Sequence, residues 1–247
     1  MIYKIFWEYS IDTDELKKNE YVIQNNINES HINNDSLNSL IDKRLEKYKR
    51  RLAEDLKIKV KKIDVEYEKW CETINTFLLN IEWDIQKEHI IDLHKLFFPK
   101  DYYWESLDVS WKRFYAKFNA WEFRTKDELV IVDNIKYNYL DFTEIDTAID
   151  NLFYWYNNDN ETEKYIKIIL FYLYLCEIHP FYNWNWTIAL LIAESMLFKN
   201  NIDFSIIKFF NSITIQEKLS FFKEWIKWNH INTFNLINKN IDKSNLN

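Results

Sequence analysis

The sequence predicts a mainly α-helical bundle carrying one small β-hairpin. Proline occurs only at positions 99 and 180, so helices can run unbroken over most of the chain. Apolar residues recur at helical spacing from residue 37 onward. Residues 128–140 depart from that period and alternate as a strand does. With 47% hydrophobic and 29% charged residues in 247, the chain has the material for a core and is too apolar to be disordered throughout.

The elements follow in order. Residues 1 to about 35 are polar and asparagine-rich, an extension with one short ordered piece. Over 37–62, Leu37, Leu40, Ile41, Leu45, Tyr48 and Leu52 form a helical stripe among many lysines and arginines. Mixed with Glu46, Glu54 and Asp55, this basic run reads as a solvated amphipathic helix, with a nucleic-acid contact as the alternative. Helices are expected at 64–81 and 84–98. Leu129, Val130, Ile131 and Val132, an Asp133-Asn134 turn and an alternating arm at 135–139 give the hairpin. Helices follow at 143–157, opened by the near capping box Thr143 to Asp146, at 161–178, apolar nearly all round, and at 186–199. A last helix at 214–228 opens on the capping box Thr214 to Glu217. The division is thus an extension at 1–62, a helical domain at 63–230 and a polar tail at 231–247.

A net charge of -7 and a pI near 5.4 make nucleic acid an improbable partner. Cys71 and Cys176 offer neither a disulfide framework nor zinc-ligand spacing, which fits a cytoplasmic setting. The apolar start is too brief for a signal peptide, and no stretch approaches the ~20 residues that span a bilayer. His89 and His94, five apart on one helix, lack metal-pair spacing and read as structural.

Glycine is absent, where a usage of ~7% would give about 17 residues. Tryptophan, at 11, is in excess. Both anomalies meet in the segment that carries chemistry, Glu177-Ile-His179-Pro-Phe181-Tyr-Asn183-Trp184-Asn185-Trp186-Thr187-Ile-Ala-Leu190. A buried helix ends at a histidine, proline stops it, and a short polar loop feeds the next helix. Free N–H groups and the positive dipole end at such a helix start suit an anion, and a neighbouring histidine can serve as a base toward a hydroxyl.

The segment resembles the signature of the Fic (Fido) family, His-Pro-Phe-x-Asp/Glu-Gly-Asn-Gly-Arg-x-x-Arg. His179, Pro180, Phe181 and Asn185 match it. Trp184 and Trp186 stand at its glycines, Asn183 at its acid, Thr187 and Leu190 at its arginines. The block 119–125 is similar to the family's Ala-Gly-x-Phe/Tyr-Arg-Thr, with Trp121 for glycine. Residues 91–97 and 152–157 resemble two further family helices, and in all roughly 65–228 follow the family order.

The resemblance implies a Fic-type helical bundle whose hairpin, Leu129 to Val132, is a target-binding flap. It implies AMP transfer from ATP to a Ser, Thr or Tyr hydroxyl of a target protein, with Mg²⁺ as cofactor, and leaves room for a homodimer. His179 becomes the base and Phe181 the loop's anchor in the core. Asn185 orients the loop or binds phosphate. Trp184, Trp186 and Thr187 complete the nucleotide loop, and Asn183 takes the metal position with an amide oxygen but no charge. Thr187 lacks the charge and fork of an arginine. Ser30 to Asn34 faintly resembles the family's inhibitory helix.

Two explanations of the tryptophans stand open. A UGA codon read as glycine in the source, but written as tryptophan, accounts for the missing glycine and the surplus tryptophan together. Genuine tryptophans would instead fill the phosphate nest. Because recoding does not restore Asn183, Thr187 or Leu190, a catalytically inactive interaction module of the same fold is the alternative function.

Overall fold

The computed structural model describes residues 2–6 and 9–12, scattered helical residues between 38 and 53, and most of 64–221. Within these, β1 (Ile2–Phe6) and β2 (Tyr9–Asp12) form an antiparallel pair. Helices α1 (Asp64–Asn80) and α2 (Lys87–Phe97) follow. Next come the antiparallel pair β3 (Tyr102–Leu107) and β4 (Arg113–Phe118) and the pair β5 (Leu129–Val132) and β6 (Ile135–Asn138). Four helices complete the order: α3 (Ile145–Asn158), α4 (Lys164–Ile178), α5 (Asn185–Lys199) and α6 (Ile206–Ser212).

The bundle is mainly helical, as expected, but the single hairpin of the sequence reading becomes three among the described residues. The β3–β4 pair was missed because no Gly, Pro or Asn marks the turn between its aromatic-rich arms. The basic helix at 37–62 is helical at its described positions, with Ile41, Leu45 and Ala53 fully buried; most of its lysines and arginines lie outside the described residues. So do Ser30 to Asn34 and the tail 231–247.

Helix α4 is the axis of the core. Every residue from Tyr165 to Ile178 is buried, as a helix apolar all round requires. It packs on α5 and α3, while α5 also touches α1, α2 and α6. Side chains tie these layers: Ser195 Oγ donates to the Leu78 carbonyl at 2.7 Å, Trp70 Nε1 to that of Leu96 at 2.9 Å, and Asn157 Nδ2 to that of Ile85 at 2.9 Å. Cys71 and Cys176 are buried and not disulfide-bonded. His94 is fully buried, and His89 Nδ1 accepts the Gln86 N–H at 3.1 Å, so both serve the fold.

Caps mark the helix starts. Thr143 is not itself the cap expected for α3: Asp141 Oδ1 accepts the Thr143 N–H at 2.8 Å and opens a 3-10 turn (Phe142–Glu144) ahead of the helix. Thr214 and Glu217 do form the reciprocal box, at 2.7 and 3.2 Å, and residues 216, 217, 220 and 221 are helical.

The start of α6 is held by a buried acid. Glu194 Oε1 accepts from Ser205 Oγ at 3.0 Å and from the Ile207 N–H at 2.7 Å. Burial pushes the Glu194 carboxyl up from 4.5 to about 7, against the pull of those donors. A carboxyl raised in the folded state stabilises fully below its unfolded value, and that stability is lost as pH rises through the folded one. The melting temperature should therefore fall between pH 4.5 and 7. Glu194→Gln, which keeps the acceptor oxygen, should flatten that fall; identical slopes in the two proteins would refute the assignment.

Candidate active site

The site lies where α4 turns into α5, under the β5–β6 hairpin. His179 follows the last turn of α4 with φ 49° and ψ 58°, and its N–H still reaches the Leu175 carbonyl at 3.3 Å. This left-handed cap, followed by Pro180, ends the helix and turns the imidazole out of it. The ring stacks on Tyr139 with centroids 3.7 Å apart and planes 14° from parallel. Nε2 lies 3.7 Å from Glu128 Oε2, whose side chain is buried at the foot of β5. Burial, with the Arg124 charge adding to it, pushes His179 down to about 3, while the Cys176 carbonyl favours the proton and offsets only part of this. The histidine is therefore neutral at physiological pH, the state a general base requires.

Arg124 fixes the loop from behind. It is 2% exposed, and burial lowers its pKa, with Glu128 and Asp127 opposing the shift. Its Nε donates to the His179 carbonyl at 2.8 Å, Nη1 to that of Lys126 at 2.8 Å, and Nη2 to that of Leu140, while its own N–H donates to the Pro180 carbonyl at 2.8 Å. The planar fork thus joins both sides of the hairpin to the backbone that carries the histidine. Tyr182 adds a second tie, its hydroxyl accepting the Thr125 N–H at 2.9 Å.

Phe181 is buried and lies face to face with His94 at 3.8 Å, with Phe123 against its edge at 5.5 Å. Asn185 clamps the same residue: Oδ1 accepts the Phe181 N–H at 2.8 Å, and Nδ2 donates to the Phe181 carbonyl at 2.6 Å. Both ends of the amide are used within the loop, so of the two roles open in the sequence the geometry favours orientation over phosphate binding.

Trp184 caps α5 in the left-handed region, φ 67° and ψ 4°, where a side chain costs about 1–2 kcal/mol and glycine nothing comparable. Its indole is buried against Phe97, at 4.5 Å, and Phe98, at 5.7 Å. Trp186, half-buried in the first turn of α5, hydrogen-bonds the Tyr139 hydroxyl. Trp121 is 49% exposed in a turn. Thr187 and Leu190 are buried in α5, so no arginine fork lies on this face of the helix. Leu129 is buried, and Val130, Ile131 and Val132 continue β5, their side chains outside the described residues.

The donor set for Mg²⁺ does not fit. Asn183 Oδ1, the oxygen at the metal position, already accepts the Trp184 N–H at 2.9 Å, and Nδ2 is buried without a hydrogen-bond partner. Among the described residues no three His, Cys, Asp or Glu side chains lie close enough to share a metal ion. A nucleotide would find the loop's backbone but neither arginine.

Sequence reasoning missed three contributors here. Arg124 was read only as part of a motif, Glu128 not at all, and Tyr139 only as a strand residue. Their partners lie 40 to 55 positions along the chain, beyond any local pattern. Among described residues no helix is long and apolar enough to cross a membrane.

No curated protein matches the chain at a significant level. Residues 84–197 match the model of the Fic/DOC family, and that span runs from just before α2 to the end of α5, enclosing the hairpin, Arg124, His179 and the whole loop. The chain carries a Fic/DOC family domain over these residues.

Proposed function

We propose that the chain is a Fic-type transferase that moves AMP from ATP to a Ser, Thr or Tyr hydroxyl of a target protein, with His179 as the base. The observation that carries this reading is a neutral histidine held by Arg124 at the α4–α5 turn, inside the matched domain and beneath the hairpin. His179 takes the hydroxyl proton, the hydroxyl oxygen bonds to the α-phosphorus, and the bond to pyrophosphate breaks. The target strand docks on β5, which among the described residues pairs only with β6 and so offers an open edge. The donor phosphates rest on backbone N–H groups at the start of α5. No step is routed through a metal, since the side chains at its position do not fit one.

The test is incubation of the purified chain with labelled ATP and source lysate. Label on a protein in the presence of His179, and none with His179→Ala, supports the reading. An unlabelled lysate together with no thermal shift by nucleotide would favour the inactive interaction module, to which Thr187 and Leu190 at the arginine positions lend weight. Position 184 is tested separately. Trp184→Gly relieves the left-handed strain of about 1–2 kcal/mol. It also removes a buried indole worth about 3–5 kcal/mol when truncated. The variant should therefore melt lower, with nucleotide uptake unchanged because the indole points into the core against Phe97 and Phe98; a higher melting temperature would show that the indole packs poorly.

A further inference from the structure

Tyr139 follows β6 and closes the foot of the hairpin, its N–H donating to the Glu128 carbonyl at 3.1 Å. From there its ring covers one face of the His179 imidazole, with centroids 3.7 Å apart and planes 14° from parallel. The hydroxyl end of the ring is fixed as well. Trp186 hydrogen-bonds it, and an indole nitrogen can only donate, so the bond runs from Nε1–H to the phenol oxygen. Trp186 stands in the first turn of α5 and meets the buried Tyr172 of α4 edge-on at 6.4 Å. Tyr139 is thus held by its backbone and by its hydroxyl, and the face so held is pressed on the imidazole.

The histidine has a use for this hold. The left-handed cap and the Arg124 bond to its carbonyl fix its backbone, which leaves the side-chain torsions free. Glu128 Oε2, at 3.7 Å from Nε2, is beyond hydrogen-bond reach and does not set the ring's rotation by a directed bond. An aromatic plane lying on the imidazole does set it. A base whose nitrogen strays by about 1 Å from its working position can cost about 10²-fold in rate.

We propose that Tyr139 is a positioning residue for His179: its ring fixes the imidazole plane, Trp186 fixes that ring, and Nε2 is thereby kept aimed at the target hydroxyl. The inference rests on the transferase reading and assigns the far arm of the hairpin a part in it.

Three variants of the full chain test this. Tyr139→Leu removes the ring, Tyr139→Phe only its hydroxyl, and Trp186→Phe only the donor. Tyr139→Leu should lower kcat for AMP transfer by about 10–10²-fold and leave KM for ATP within about twofold. Tyr139→Phe and Trp186→Phe should each cost less, and their double variant no more than either, since both break one bond. A readout free of activity is NMR of histidine-labelled protein, with the His179 signals identified by their loss in His179→Asn. In the unsubstituted chain the ring protons should be shielded by the tyrosine face, and the ring should not titrate between about pH 5 and 8. In Tyr139→Leu the shielding should vanish and the midpoint rise toward 6.5 as water reaches the ring. Ring signals unmoved in Tyr139→Leu, or kcat unchanged beside a lowered melting temperature, would overturn the proposal and leave the tyrosine a packing residue. A shielded ring in a chain that transfers no AMP would sink the transferase reading while upholding the clamp.

Discussion

Replacing His179 with alanine is expected to lower AMP transfer by about 10²–10⁴-fold, the usual contribution of a positioned general base. Alanine is a poor left-handed residue, so part of any loss could come from the loop. His179→Asn controls for this, because asparagine tolerates φ 49° and cannot act as a base. Equal loss in both variants, with melting temperatures preserved in the asparagine one, assigns the effect to the imidazole. The pH profile gives a second readout. Because burial and Arg124 hold the ring near 3, the acid limb of kcat/KM set by His179 should lie well below 6.5. An acid limb near 6.5 would mean a solvated histidine and a different site geometry. The same shift has a stability consequence of opposite sign to that of Glu194. His179 imposes no penalty above 6.5, and the folded state loses ground as pH falls from 6.5 toward 3.

Replacing Arg124 with methionine should destabilise the domain more than any single change to the loop itself. Methionine fills much of the volume but strands the carbonyls of His179, Lys126 and Leu140. The Leu140 acceptor is buried and the other two are part-buried, so with about 1–3 kcal/mol for a buried acceptor left unmet and less for each part-buried one, the sum is about 3 kcal/mol. For a domain of this size that is a fall of roughly 10 °C in melting temperature. Arg124→Lys restores the charge and not the fork, so it should recover only part of the loss. A lysine variant as stable as the wild type would show that charge, and not the three directed bonds, holds the loop.

The helical frame was legible because its signals are local. The run 165–178, apolar but for Lys167 and Glu177, reads as a buried helix, and the histidine-proline break after it as a helix end. The β3–β4 hairpin and the seven-residue α6 escaped, the first because its turn holds Asp108 and Ser110 but no Gly, Pro or Asn, and the second for its brevity, although Ser205 was available as a cap. In the site, the motif placed His179 and Phe181 correctly on one loop but was silent on what holds them. Arg124, Glu128 and Tyr139 act through contacts that only the tertiary fold creates. The missing glycines were visible as an anomaly of composition. That the chain enters the left-handed region at Trp184 all the same is a fact of geometry.

Arg124 grips the strand-bearing segment with one hand and the histidine's own backbone with the other. Flap position and base orientation are therefore not separate variables. Under the proposed transferase reading, free energy that a target peptide gains on docking at the hairpin is also felt at the loop that carries His179. By reciprocity, a donor that tightens the loop raises the affinity of the flap for its peptide by the same factor. Order of addition should then leave the ternary complex unchanged while each ligand alone binds more weakly than either does in the other's company.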